Sequence, residues 1–347
     1  MSLLTKQVTV SLPFLRFRFP ALGLLGLLLL LALVLAISIG AVSIPLSKLI
    51  TSDLTAQQQA VLFSIRFPRV LLAIVVGVAL AVSGAALQGL FRNPLADPGL
   101  IGISTSSALA VAIVIVLAGP LTGLLGLYSL SIAAFLGATI ACLVIFRFAK
   151  LTGQFSVTYL LLIGIALNAL CAAGVGFLTF LSNDEQLRTL TFWTMGSLGG
   201  ALWPSVIVAS TIVVPASFVL IRSARELNLL LLGENEARYL GVDENKLKRR
   251  IIIATALTVG AGIAVSGIIG FVGLVVPHLV RLLLGPDHRL LIPASAILGA
   301  SLLLVADTLA RTIVAPTEMP VGILTSLIGG PFFLWLLVKQ YSGRFGL

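Results

Sequence analysis

The sequence predicts an all-α polytopic membrane protein with about ten transmembrane helices. Three observations predict it. Of 347 residues, 59% are hydrophobic and only 10% are charged, against about 25% charged in soluble domains. Apolar stretches of spanning length recur along the whole chain, with short polar breaks between them. Lysine and arginine gather in alternate breaks, as they do in cytoplasmic loops.

The predicted spans are 21–41, 68–90, 100–118, 124–148, 157–181, 202–221, 251–267, 268–284, 290–311 and 321–339. The first follows Lys6, Arg16 and Arg18. It is longer than the apolar core of a cleavable leader, which runs about 7–15 residues, so it reads as a helix. The seventh and eighth spans form one apolar block holding Gly260, Gly262, Gly267, Gly270 and Gly273. Small residues at that density allow close helix contact or a bend, and a break is expected there.

Orientation follows from charge. With the N-terminus inside and sides alternating, 17 of the 22 lysines and arginines fall inside. The outside set is Lys48, Arg66, Arg69, Arg188 and Arg311. The positive-inside rule favours this arrangement, which puts both termini in the cytoplasm. The net charge of +10 is then a loop property. No long basic run or aromatic–basic interleaving points to nucleic acid. Cys142 and Cys171 sit in apolar runs, where a free thiol packs as a small hydrophobe, and neither has metal-ligand spacing.

Two polar segments stand out. The longer, 222–250, falls inside. Its Leu229–Leu232 run, Ala237 and Leu240 form the apolar stripe of one short amphipathic helix. It reads as a docking surface for a cytoplasmic partner. The other, 182–200, falls outside and is too polar to span. Asp184, Glu185 and Arg188 precede Phe192, Trp193 and Trp203, which predicts a short helix lying on the outer surface.

No energy-converting chemistry is present. The chain has no Gly-Lys pair, hence no Gly-x4-Gly-Lys-Ser/Thr loop for ATP. It has no His-Glu-x-x-His and no Gly-x-Ser-x-Gly. No catalytic residue and no bound cofactor or metal is expected. An ion-coupled carrier needs ionisable groups deep in the membrane. Asp307 is the best placed, with Arg311 four residues on along the same helix face, and the two read as an ion pair anchoring a helix end. His278 reads as a capping or packing residue. Gln88 and Asn168 read as interhelical hydrogen-bonding groups, with pathway lining the alternative for Asn168. The chain is a conduit without a motor: either a channel, or one driven by another subunit. A carrier using Asp307 and His278 is the rival reading.

A series of motifs then points one way. Arg66-Phe-Pro-Arg69 opens the second span, followed by Ser83-Gly84, Gln88, Arg92-Asn-Pro-Leu-Ala-Asp-Pro-Gly99 and Gly102. Gly233-Glu234, Leu240-Gly241 and Gly270-Phe-Val-Gly-Leu-Val-Val-Pro-His278 with Arg281 come next. Gly285-Pro-Asp-His-Arg289, Ala306-Asp-Thr-Leu-Ala-Arg311, Glu318-Met-Pro-Val-Gly322 and Gly330-Pro-Phe-Phe333 complete it. In order and spacing, from about residue 60 to the C-terminus, the chain closely resembles FecCD-type permeases of iron-siderophore, haem and vitamin B12 ABC importers.

The resemblance implies a type II ABC importer permease fold in a single transmembrane domain, 1–347, of the bacterial inner membrane. It implies a second copy forming a homodimer, two cytoplasmic ATP-binding subunits that carry ATP and Mg, and a periplasmic substrate-binding protein. Gly233, Glu234, Ala237, Arg238, Leu240 and Gly241 match the family's ATPase-coupling helix. Arg66, Arg69 and Arg311 match outward-facing arginines that grip the binding protein. Leu167, Asn168, Cys171 and Phe177 match pathway-lining positions, and Gln154, Phe155, Ser156, Val157 and Thr158 match the inner gate. Leu90–Gly99 and Phe192–Gly200 look most like haem-importing members, with siderophore and cobalamin importers as alternatives.

Overall fold

The computed structural model describes residues 14–40, 45, 47, 54–119, 123–151 and 157–345. Gln154, Phe155 and Ser156 of the expected inner gate lie outside them. Among the described residues every regular element is helical: α1 (Phe14–Ser38), α2 (Ala56–Val61), a π turn (Leu62–Arg66), α3 (Phe67–Leu90), a 3-10 turn (Pro98–Ile101), α4 (Ile103–Leu117), α5 (Gly123–Leu151), α6 (Val157–Leu181), α7 (Asp184–Thr194), α8 (Trp203–Arg222), α9 (Ala224–Leu230), α10 (Glu234–Tyr239), α11 (Glu244–Ser266), α12 (Val272–Leu284), α13 (His288–Ala310) and α14 (Val321–Phe345). Seven helical stretches among these residues are long and apolar enough to cross a membrane, and α4, α12 and the Val321–Trp335 part of α14 are shorter apolar helices. Together they correspond to the ten expected spans.

α3 is the axis of the bundle. Every residue from Ala79 to Leu90 is buried, so the helix is sequestered from lipid as well as water. Its neighbours are α13, α11, α8 and α12. Glycine sets the spacing. A methyl placed on Gly77 would sit 2.5 Å from the Gly299 carbonyl oxygen of α13, and one on Gly84 would overlap the Gly273 carbonyl of α12. Lipid gives apolar helices little hydrophobic reason to associate, so backbone approach and dispersion carry the contact.

The predicted break between the seventh and eighth spans exists and is sharper than composition implies. α11 ends at Gly267, with φ +68°, and α12 starts after Phe271, with φ +67°. Phe271 is a bulky residue in the left-handed region, an uncommon and strained state. Its ring lies against Gly329 of α14, where a side chain would collide with it.

Three boundaries differ from expectation. The second span starts at Ala56 rather than 68, with Thr55 and Gln58 forming a capping box. Pro68 lacks an N–H and would clash with a carbonyl one turn back, and the widened π turn lies at that place. α11 starts at Glu244 rather than 251. Asp243 caps it by accepting from the Lys246 N–H at 3.1 Å, so the basic run Lys246–Arg250 is helix, not loop. Finally, 182–200 does not lie wholly on the surface. α7 ends at Thr194. The following segment packs inward: Ser197 donates to the Ser266 carbonyl at 2.7 Å, and Leu198 is fully buried.

Candidate functional site

Three regions carry the residues singled out by sequence. The first lies at the end of the bundle that the charge count places outside. Arg66 and Arg69 were expected there as outward-facing arginines that grip a binding protein, and within the chain they are 3% and 5% exposed. Arg66 donates to the carbonyls of Ile37 at 2.5 Å and Ser38 at 3.2 Å. Arg311 donates to the Ala36 carbonyl. These are last-turn carbonyls of α1, which lack partners within their own helix and carry its partial negative charge. Two arginines from other elements thus cap α1. Arg69 takes the carboxylates. Its Nη2 donates to Asp307 Oδ1 at 2.9 Å, its Nε to the same carboxylate at 3.0 Å, and its Nη1 to Glu318 at 2.9 Å. Asp307 is 2% exposed, so its charge must be paired. The expected local partner, Arg311, is only 3.7 Å away by its Nε and makes no hydrogen bond to it. The dominant partner of Asp307 is Arg69, on another helix. The Glu318 side chain is half-exposed and faces Gly199 of the inward-packed segment.

The second region is the 222–250 segment. The single amphipathic helix expected there is two, α9 and α10, followed directly by α11. Gly233 and Gly241 bracket α10 at φ +132° and +86°, backbone that glycine adopts without strain. Glu234 lies between Arg92 at 3.4 Å and Lys248 at 3.6 Å, and Lys248 also pairs with Glu244. These pairs tie α10 to the end of α3 and the start of α11. Ala237 is buried at 1%, but Leu240 is 57% and Tyr239 is 90% exposed. Leu240 therefore lies outside any buried stripe. Tyr239 and Leu240, adjacent in sequence, form an exposed apolar tip at the end of α10 beside exposed Arg238. Asp243, at the far side of α10, has a carboxyl held below its ordinary range by the backbone N–H of Lys246.

The third region is α6. Three of its four expected pathway residues contact neighbouring elements within the chain, and for Asn168 this is the interhelical bonding read from the sequence. Asn168 Nδ2 donates to the Gly99 carbonyl at 3.0 Å and its Oδ1 accepts from Thr105 at 2.6 Å. Cys171 Sγ is 3.3 Å from Ser106 Oγ, and Leu167 packs over Gly102. They pin α6 to the 3-10 turn and α4. Phe177 is on the open side at 63% exposure, with Ile165, Leu170 and Phe180. Val157 and Thr158, at the start of α6, are half-buried and exposed.

Sequence reasoning missed Asn228, Lys248 and the Glu318–Arg69 bond. A signal existed for Glu318. With 12 acidic residues in the chain, carboxylate partners for cations near the membrane come from a short roll.

The chain and its fold have known counterparts. A profile of the FecCD transport family matches residues 28–339. The chain is 52% identical over 326 residues to the hemin transport system permease protein HmuU of Yersinia pestis, covering 93% of this chain and 97% of the relative. It is 44% identical over 279 residues to the cobalamin import system permease protein BtuC of Halobacterium salinarum, covering 80% and 73%. A solved metal-chelate type ABC transporter in an inward-facing conformation superposes with a TM-score of 0.84 at 36% identity, covering 92% of this chain and 99% of that one. The chain belongs to the FecCD transport family, the permease subunits of iron-siderophore, haem and vitamin B12 ABC importers.

Proposed function

We propose that this permease imports haem. The chain forms the membrane pathway as a homodimer, two ATP-binding subunits drive it from the cytoplasm, and a binding protein delivers the substrate from the periplasm. The observation that carries the haem reading is the near end-to-end likeness to a hemin permease, at 52% identity, against 44% over a smaller share of a cobalamin permease. The chemistry agrees. The open face of α6 is apolar, with Leu170 and Phe177 more than 60% exposed, and a large, flat, mostly apolar ligand passes such a wall without being trapped by hydrogen bonds.

The apolar tip at Tyr239 and Leu240 supports docking on the ATP-binding subunit. It lies outside the helices long enough to span, exposed apolar clusters mark protein contacts, and the Glu234 ion pairs tie α10 to its neighbours, a route by which movement could be passed on. Docking of the binding protein at Arg66, Arg69 and Arg311 would act through their field, since all three are mostly buried and already engaged with carbonyls or carboxylates. Three cations against Asp307 and Glu318 leave that mouth electropositive.

The test is reconstitution of the chain with its ATP-binding subunits and binding protein in proteoliposomes. ATP-dependent uptake of hemin, exceeding that of a ferric siderophore and of cobalamin, is expected. Faster uptake of either competitor would overturn the haem assignment. Uptake by the chain alone under a proton gradient would overturn the importer reading in favour of an ion-coupled carrier.

A further inference from the structure

The amide of Asn228 ties the cytoplasmic segment to the first turn of α13. Its Nδ2 donates to Asp287 Oδ1 at 2.7 Å, and its Oδ1 accepts from the His288 backbone N–H at 2.9 Å. The same oxygen is 2.8 Å from His288 Nδ1, which fixes the ring proton on that nitrogen. Asp287 meanwhile caps α13 by itself, accepting from the Arg289 N–H at 3.0 Å. A helix already capped by its own residue has gained a second set of bonds from a different element. His288 is 1% exposed, and its ring lies against Gly89 in the last turn of α3, where a side chain would collide with it. One residue pair therefore joins α9, α13 and α3.

α13 runs from this joint to the charged cluster at the other end of the bundle. Its 23 residues span about 34 Å at ~1.5 Å per residue. It is locked to α3 by the glycine contact of Gly77 and Gly299, and at its far end Asp307 holds Arg69 and Arg311 hooks α1. A close-packed helix pair of this kind shifts as a unit rather than deforming.

We propose that Asn228 is a positioning residue for transport: it carries displacement of the α9–α10 segment into α13, and through α13 to the Arg69 cluster. This rests on the permease reading above, in which an ATP-binding subunit moves that segment. It predicts that loss of the amide uncouples ATP hydrolysis from transport without loosening the complex.

The experiment measures hemin imported per ATP hydrolysed in proteoliposomes of the full complex, with co-purification of the ATP-binding subunit as the measure of assembly. Asn228→Ala should assemble and hydrolyse ATP, with hemin per ATP falling roughly fivefold or more, the lower end of typical coupling factors. His288→Asn, which keeps a side-chain donor near the Nδ1 position, should stay close to wild type. Asn228→Ala combined with His288→Ala should be no worse than Asn228→Ala alone, as expected of residues acting as one unit. If Asn228→Ala folds poorly, Asn228→Ser, which keeps an acceptor but no amide, should give an intermediate ratio. An unchanged ratio in either variant, or hydrolysis and uptake falling in step, would overturn the proposal. A spin label on Ile313→Cys, just past α13, separates this from failure of the permease reading. Binding of the ATP-binding subunit should alter the label's spectrum in the wild-type background and not with Asn228→Ala, whether or not hemin is carried. The same spectral change in both backgrounds would also overturn the joint.

Discussion

Replacing Arg69 with alanine removes the dominant partner of a carboxylate buried inside the bundle. Asp307 would stay 2% exposed with Arg311 Nε at 3.7 Å and lose three hydrogen bonds, each 2.9 or 3.0 Å long. Breaking a buried pair from one side costs about 3–5 kcal/mol, because the remaining charge is left uncompensated. Asp307→Ala leaves Arg69 still bonded to Glu318 at 2.9 Å, so its cost falls at the lower end of that range. Glu318 is 49% exposed at its side chain, and water screens its pairing. Glu318→Ala should therefore cost no more than about 1 kcal/mol. Arg69→Leu with Asp307→Leu removes both charges and should recover most of the loss, since apolar replacement of a whole buried pair is often neutral. Thermal unfolding of the purified protein in lipid nanodiscs ranks the variants. The expected order of damage is Arg69→Ala, then Asp307→Ala, then Glu318→Ala. Equal damage from Glu318→Ala and Arg69→Ala, or a double leucine variant worse than Arg69→Ala, would refute the reasoning.

Glu318→Gln should free one face of Arg69 and tighten binding-protein docking at low salt, an effect that fades as salt screens it; weaker docking in a binding assay would show Glu318 to be a contact itself. Leu240→Asp with Tyr239→Ala should reduce co-purification of the ATP-binding subunit while membrane insertion and monomer stability stay unchanged, because both side chains are more than half exposed; intact assembly would remove the tip from the docking surface. Gly299→Val should abolish recovery of folded protein on size-exclusion chromatography, because Ala81 and the Gly77 carbonyl lie 2.5 and 2.6 Å from where its first carbon would go; a well-behaved variant would refute the close α3–α13 contact.

Much of the fold was legible because lipid imposes a one-dimensional code. Span length and apolarity are local properties, so the ten spans, and the break near Gly267, could be read residue by residue. The polar start of α11 was not legible in that code, since Lys246–Arg250 look like loop to a rule that equates charge with exposure to water. Gly233 and Gly241 also stood out in the sequence. Gly233 and Gly241 bracket a short charged stretch, and both adopt left-handed backbone.

Side-chain partners are a different kind of fact. Spacing paired Asp307 with Arg311, but Arg69, 238 residues away, is its dominant partner. The charge count also placed Arg66, Arg69 and Arg311 on the outside, but it could not show that each meets a carbonyl or carboxylate from another part of the chain. Asn168 and Cys171 share α6 with Phe177, and only packing decides that the first two face α4 while Phe177 faces outward.

The sequence by itself determined that this chain crosses a membrane about ten times, carries no Gly-x4-Gly-Lys-Ser/Thr loop, and keeps one long polar segment among its basic breaks. Those follow from composition and from the order of residues, because burial in lipid is decided segment by segment. Tertiary structure alone decided who neutralises whom. A buried charge or amide finds its partner across helices, at distances in the chain that no local pattern encodes. The Arg69–Asp307 bond and the Asn228–His288 joint, at opposite ends of α13, are both of that kind.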